Sequence, residues 1–120
     1  MAALALAIGY SAYAHLARSA ESRSIEAGLI ESGDLPTIYF NLKNTGSEVR
    51  NYTYVVTSDS TEGLIDRGLI LNLPPGETFH YTLILTRGER ATPVRLRIYL
   101  GEEATGRPIY DQTWLIRGRA

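Results

Sequence analysis

The sequence contains no cysteine, so the fold has neither disulfide staples nor a thiolate metal site, and cysteine usage cannot report the compartment. Histidine occurs twice, as His15 and His80, and tryptophan once, as Trp114. Neither histidine has a carboxylate or a second histidine at ligand spacing, so no metal site is expected. The sequence also lacks a Gly-x-Ser-x-Gly elbow, a phosphate-cradling glycine loop and a dinucleotide fingerprint. Catalytic, cofactor-binding and metal-binding residues are therefore expected to be none, with no cofactor and no evident small-molecule substrate. Lysine is nearly absent: eleven of the twelve basic residues are arginine, and the formal charge is only −1. That balance gives no reason to expect a nucleic-acid partner.

A full-length apolar span is missing too. The run from Met1 to Ala17 carries no formal charge, but as a helix rising ~1.5 Å per residue it reaches only ~25 Å, against ~30 Å of bilayer hydrocarbon. No basic residue precedes Arg18, so the run does not read as an intact secretion signal. Either a leader carrying those charges preceded it, or the segment never was a signal. Its alanines favour helix, yet Leu4, Leu6, Ile8 and Tyr10 recur at every second position, as in a strand. Helix is the preferred reading and an inserted strand the alternative. In either form the segment is too apolar to remain in water. Leu4, Leu6, Ile8, Tyr10, Tyr13 and Leu16 are the candidate assembly residues; burying them would contribute on the order of 10 kcal/mol before ordering entropy is subtracted.

Composition changes at residues 17–24, which divides the chain into an N-terminal assembly or anchor segment, 1–23, and a body, 24–120. The body reads as short strands separated by turn signals. Ile25, Ala27 and Leu29 alternate with polar or small residues before Ser32-Gly33-Asp34. Thr37 to Lys43 places Ile38, Phe40 and Leu42 on one face and Tyr39, Asn41 and Lys43 on the other. Asn44-Thr45-Gly46-Ser47 then supplies turn chemistry, since Asn and Gly tolerate positive φ. Asn51 to Ser58 is a strand. A polar loop from Asp59 leads through Asp66-Arg67-Gly68 into Leu69 to Leu73, which Pro74-Pro75-Gly76 ends. Thr78 to Thr86, Thr92 to Leu100 and Pro108 to Arg117 complete the set. The expected fold is mainly β: an antiparallel immunoglobulin-like sandwich of about seven strands, preceded by an N-terminal apolar helix.

Three stretches, Phe40-Asn41-Leu42-Lys43-Asn44-Thr45-Gly46, Leu73-Pro74-Pro75-Gly76-Glu77 and Arg97-Ile98-Tyr99-Leu100, resemble immunoglobulin-like surface domains of archaea. The similarity is to the β-domains of archaeal type IV pilins and archaellins, and to an uncharacterised domain of archaeal membrane proteins. It covers about Ile25 to Ile116. The pilin resemblance implies a helix packed in a filament centre, a β-domain facing outward, copies of the same chain as partners, and an extracellular location.

The remaining polar residues fit that setting. Asn51-Tyr52-Thr53 matches the glycosylation acceptor, making Asn51 a possible sugar site. Tyr39, Arg95, Arg97 and Tyr99 lie opposite their strands' aliphatic faces and are candidate lateral contacts between subunits; Arg87 and Arg90 lie on the approach to the same face. The oxygen-rich loop Asp59 to Asp66 lacks calcium-loop spacing and reads as solvated. Trp114 is read as a core anchor. The leading expectation is a non-enzymatic subunit of a surface filament. The alternatives are a membrane-tethered, extracytoplasmic binding module and a fibre joined by strand exchange.

Overall fold

The computed structural model describes residues 24–31, 33, 35–58 and 63–119. They form seven strands: β1 (Ile25–Ile30), β2 (Thr37–Lys43), β3 (Arg50–Ser58), β4 (Gly63–Leu73), β5 (Thr78–Ile84), β6 (Thr92–Leu100) and β7 (Tyr110–Ile116). Every pairing is antiparallel. One sheet has the order β1-β2-β5 and the other β4-β3-β6-β7. The helix expected for the N-terminal segment falls outside the described residues.

Alternation explains why the two sheets meet. On β2, Ile38, Phe40 and Leu42 are buried while Tyr39 and Asn41 are only half-buried. On β6, Val94, Leu96 and Ile98 are buried in the same alternating way. Each strand thus has one apolar face, and the two sheets cover those faces in a single core with Ile25, Tyr52, Val56, Ile70, Leu73 and Ile116. At its centre the Phe40 ring stacks on Tyr81 at 4.8 Å and meets Tyr54 edge-on at 5.6 Å. Trp114 packs against this core while remaining partly exposed.

Strand β4 starts earlier than the sequence suggests. Asp66, Arg67 and Gly68, read above as loop, lie within β4 and pair with Val56, Val55 and Tyr54. Two contacts from other strands hold them extended. The Tyr54 side chain lies across Gly68, where no Cβ intervenes, and the Tyr81 hydroxyl donates to Asp66 Oδ2 at 2.5 Å. Asp59 to Glu62 lie outside the described residues.

The Asn44 turn also differs from expectation in its cause. Asn44 is not in the left-handed region; among the described non-glycine residues only Asn72, at φ 58°, is. Asn44 is instead fully buried, and its side chain does the work. Nδ2 donates to Glu48 O and Leu73 O, each at 2.8 Å, and Oδ1 accepts from Gly46 N at 2.9 Å. Its backbone N–H donates to Glu77 O, and its carbonyl accepts from Gly76 N at 2.7 Å. One residue thereby ties the β2–β3 loop to the end of β4 and to the β4–β5 turn.

Candidate functional site

Strand order leaves β1, β5, β4 and β7 at sheet edges, and these edges differ in chemistry. β1 is short, with six residues. On β7, Asp111 receives a bidentate contact from Arg95, with Nε and Nη2 at 2.8 and 2.6 Å. β5 turns His80, Thr82 and Ile84 outward. β4 is the longest strand, eleven residues, and its exposed side chains are mostly aliphatic: Leu64, Leu69 and Leu71 are 58%, 50% and 53% exposed, with Ile65 beside them. Arg67 is its one exposed charge, while Asp66 is turned to Tyr81. Apolar side chains on an unpaired strand edge are a template for another strand.

Bulges at both ends of the β3–β4 pairing frame this edge. The register shifts between Arg50 and Tyr52 and again between Val56 and Thr57, leaving Asp66 to Ile70 in regular pairing with β3. At the first bulge, Asn72 adopts its positive φ, a conformation asparagine tolerates. Its N–H donates to Asn51 Oδ1 at 2.7 Å. The Asn51 amide nitrogen donates to Glu102 Oε2 at 2.8 Å. The candidate glycosylation residue thus has both ends of its side chain engaged, one of them shaping β4.

The candidate lateral residues separate. Tyr39 crosses Gly28 on the neighbouring strand, close enough that a Cβ there would meet the ring at 2.9 Å. Its proximity, second to burial, pushes the Tyr110 hydroxyl pKa up. Arg95 and Arg97 share the outer face of the four-stranded sheet; Arg97 pairs across to Val55 and Asp111. Hydrogen bonding from Arg95 lowers the Asp111 pKa. Tyr99 is only 5% exposed, which leaves little surface to offer a neighbour. Arg87 does not join these arginines: its guanidinium bonds the Glu31 carboxylate at 3.1 Å and the carbonyls of Glu31, Gly33 and Arg117. Leu4, Leu6, Ile8, Tyr10, Tyr13 and Leu16 lie outside the described residues.

On the opposite outer face, Ser24, Glu26, Asn41, Lys43, Thr45 and His80 line a shallow, open depression. His80 Nδ1 lies 2.6 Å from Asn41 Oδ1. Among the described residues, no three His, Asp or Glu side chains stand close enough to share a metal ion, and no helix is long and apolar enough to cross a membrane.

No protein-family model matches the chain, and no curated protein matches it. Two solved structures of one enzyme share its fold. Beta-glucosidase 3B from Thermotoga neapolitana in complex with glucose matches at 13% identity and a TM-score of 0.50, over 78% of this chain and 15% of that one. The same enzyme with alpha-D-glucose matches at 15% identity and a TM-score of 0.52, with the same coverage. The chain therefore spans about 15% of the glucosidase's length. The putative ApaA protein from Bordetella pertussis matches at 22% identity and a TM-score of 0.42, over 79% of this chain and 90% of that one.

Proposed function

We propose that this chain is a non-enzymatic structural subunit that polymerises with copies of itself at the cell surface, as a pilin-like filament subunit does. The apolar segment 1–23 joins neighbours, and the β-body faces outward. In this reading the body is an immunoglobulin-like sandwich. The order β1-β2-β5 against β4-β3-β6-β7 supports it, with the fourth strand lying on the side of the third, as the extra strands of variable-type domains do. The observation that carries the proposal is the long aliphatic edge of β4, which adds an association surface on the body to the apolar segment that precedes it.

Sedimentation velocity and negative-stain microscopy of the full chain test the proposal. Concentration-dependent fibres are expected, and deletion of Met1–Ala17 is expected to leave a folded monomer. A full chain that stays monomeric and needs detergent to remain in solution would overturn it in favour of a membrane-tethered module.

A further inference from the structure

We infer that β4 is the acceptor for strand exchange: residues 3–10 of a second copy add as a strand to its free edge, extending the four-stranded sheet to five. This inference rests on the self-assembly reading above and names the surface through which it works.

The acceptor comes from the structure. Among the described residues β4 pairs on one side only, with β3. Between the two bulges, Asp66 to Ile70 stay in regular register, so the segment presents an undistorted ladder. Leu69, within it, and Leu71, in the bulge just beyond it, are half exposed. The inward carboxylate of Asp66, a charge that elsewhere would discourage an incoming strand, is satisfied by Tyr81.

The donor comes from the sequence. Leu4, Leu6, Ile8 and Tyr10 alternate with Ala3, Ala5, Ala7 and Gly9. As a strand, this stretch has one face of large apolar groups and one of small ones. Beside β4 the large face lies with Leu69 and Leu71. The stretch holds no proline and no charge, so its backbone can donate throughout the new ladder. The residues from Ser11 to Arg23 link donor to body and, extended at ~3.3–3.6 Å each, reach about 45 Å, enough to cross to a neighbouring copy. An arm seated on the next molecule's edge is a head-to-tail contact, which propagates as an open filament; β4 pairing with β4 would close at a dimer.

The absence of native cysteine makes the test clean. Full chains carrying Leu4→Cys, Leu6→Cys or Ile8→Cys are mixed, one at a time, with full chains carrying Leu69→Cys, and oxidised mildly. Neighbouring strands lie ~4.8 Å apart, within the Cα separation a disulfide accepts. An interchain disulfide from at least one arm position to Leu69→Cys is expected, and none to the control Leu115→Cys on the β7 edge. In parallel, the full chain with Leu69→Lys and Leu71→Lys is expected to lose its fast-sedimenting species while keeping its unfolding midpoint.

Three results would overturn the inference while leaving self-assembly standing. These are equal cross-linking to Leu69→Cys and Leu115→Cys, cross-linking of Leu69→Cys chains to one another in place of the arm, or undiminished assembly of the double-lysine chain. Closure of a dilute Leu6→Cys, Leu69→Cys chain onto itself would overturn it as well, by placing the arm on its own edge. A wild-type chain that remains monomeric defeats the self-assembly reading first, and this inference with it.

Discussion

Replacing Asn44 tests whether the β2–β3 turn is held by a side chain or by backbone permissiveness. If permissiveness mattered, Asn44→Gly would be harmless, because glycine enters turn conformations more readily than asparagine. The structure says otherwise. The Asn44 side chain makes three hydrogen bonds, at 2.8, 2.8 and 2.9 Å, and the residue is fully buried. Two of the bonds contribute about 1 kcal/mol net each, and loss of the third strands the buried carbonyl of Leu73 at a cost of about 1–3 kcal/mol, so either Asn44→Ala or Asn44→Gly should destabilise the fold by about 4 kcal/mol. That is a large share of the roughly 5–15 kcal/mol by which a domain is stable, and it corresponds to a fall of roughly 15–30 °C in Tm. Trp114, the only tryptophan, packs against the core and reports unfolding in a urea titration. Asn44→Asp sharpens the test. Its carboxylate still accepts from Gly46 N but faces two carbonyls it cannot donate to, so it should fail at neutral pH and recover partly in acid, where a protonated carboxyl donates one bond. A glycine variant within about 1 kcal/mol of the parent would refute the assignment, since it would leave the three bonds no net weight.

Gly68→Ala should cost about 1–3 kcal/mol, read by thermal melting, because its methyl group would land on the Tyr54 ring in a packed aromatic cluster. Alkaline pH should weaken the fold. Burial is the first cause raising the pKa of Tyr54, Tyr81 and Tyr110, and the Asp66 hydrogen bond adds to it at Tyr81. The unfolded chain then binds fewer protons than the folded one above about pH 10, and stability falls as pH rises. Urea midpoints across that range should show the fall, and Tyr81→Phe should flatten it. In acid the sign reverses. Hydrogen bonding from Arg87 holds the Glu31 carboxyl below its ordinary 4.5, and that from Arg95 holds Asp111 below 3.8. The stabilisation is present above those values and lost as pH falls through the lower folded ones. Glu31→Gln should remove part of that acid slope in the same urea assay.

The boundaries of β2 and β6 can be read from the sequence alone, at Thr37–Lys43 and Thr92–Leu100, because alternation persists along each and turn residues stand at most of their ends. The first half of β4 cannot. Asp66-Arg67-Gly68 has the composition of a turn, and what keeps it extended is supplied by Tyr54 and Tyr81, fourteen and fifteen positions away from the residues they hold. Arg87 is misleading in the same way. It reads as one more arginine approaching a basic face, but Glu31, 56 positions away, takes it into a clamp.

The deepest gap concerns edges. Alternation shows which face of a strand is apolar, but strand order alone decides which strands finish a sheet. Leu69-Ile70-Leu71-Asn72-Leu73 is a nearly continuous apolar run, the pattern of a strand covered on both faces. In the fold only Ile70 and Leu73 are buried, while Leu69 and Leu71 face outward at an edge. Their exposure costs the isolated molecule the burial that two leucines would contribute, roughly 1.5–3 kcal/mol each if fully covered. Residues 3–10 are rich in the same kinds of side chain, leucine, isoleucine and alanine. If residues 3–10 of a second copy seat on β4 as inferred above, one backbone ladder covers part of the Leu69 and Leu71 side chains. On the self-assembly reading, the β4 edge is the place where assembly should succeed or fail.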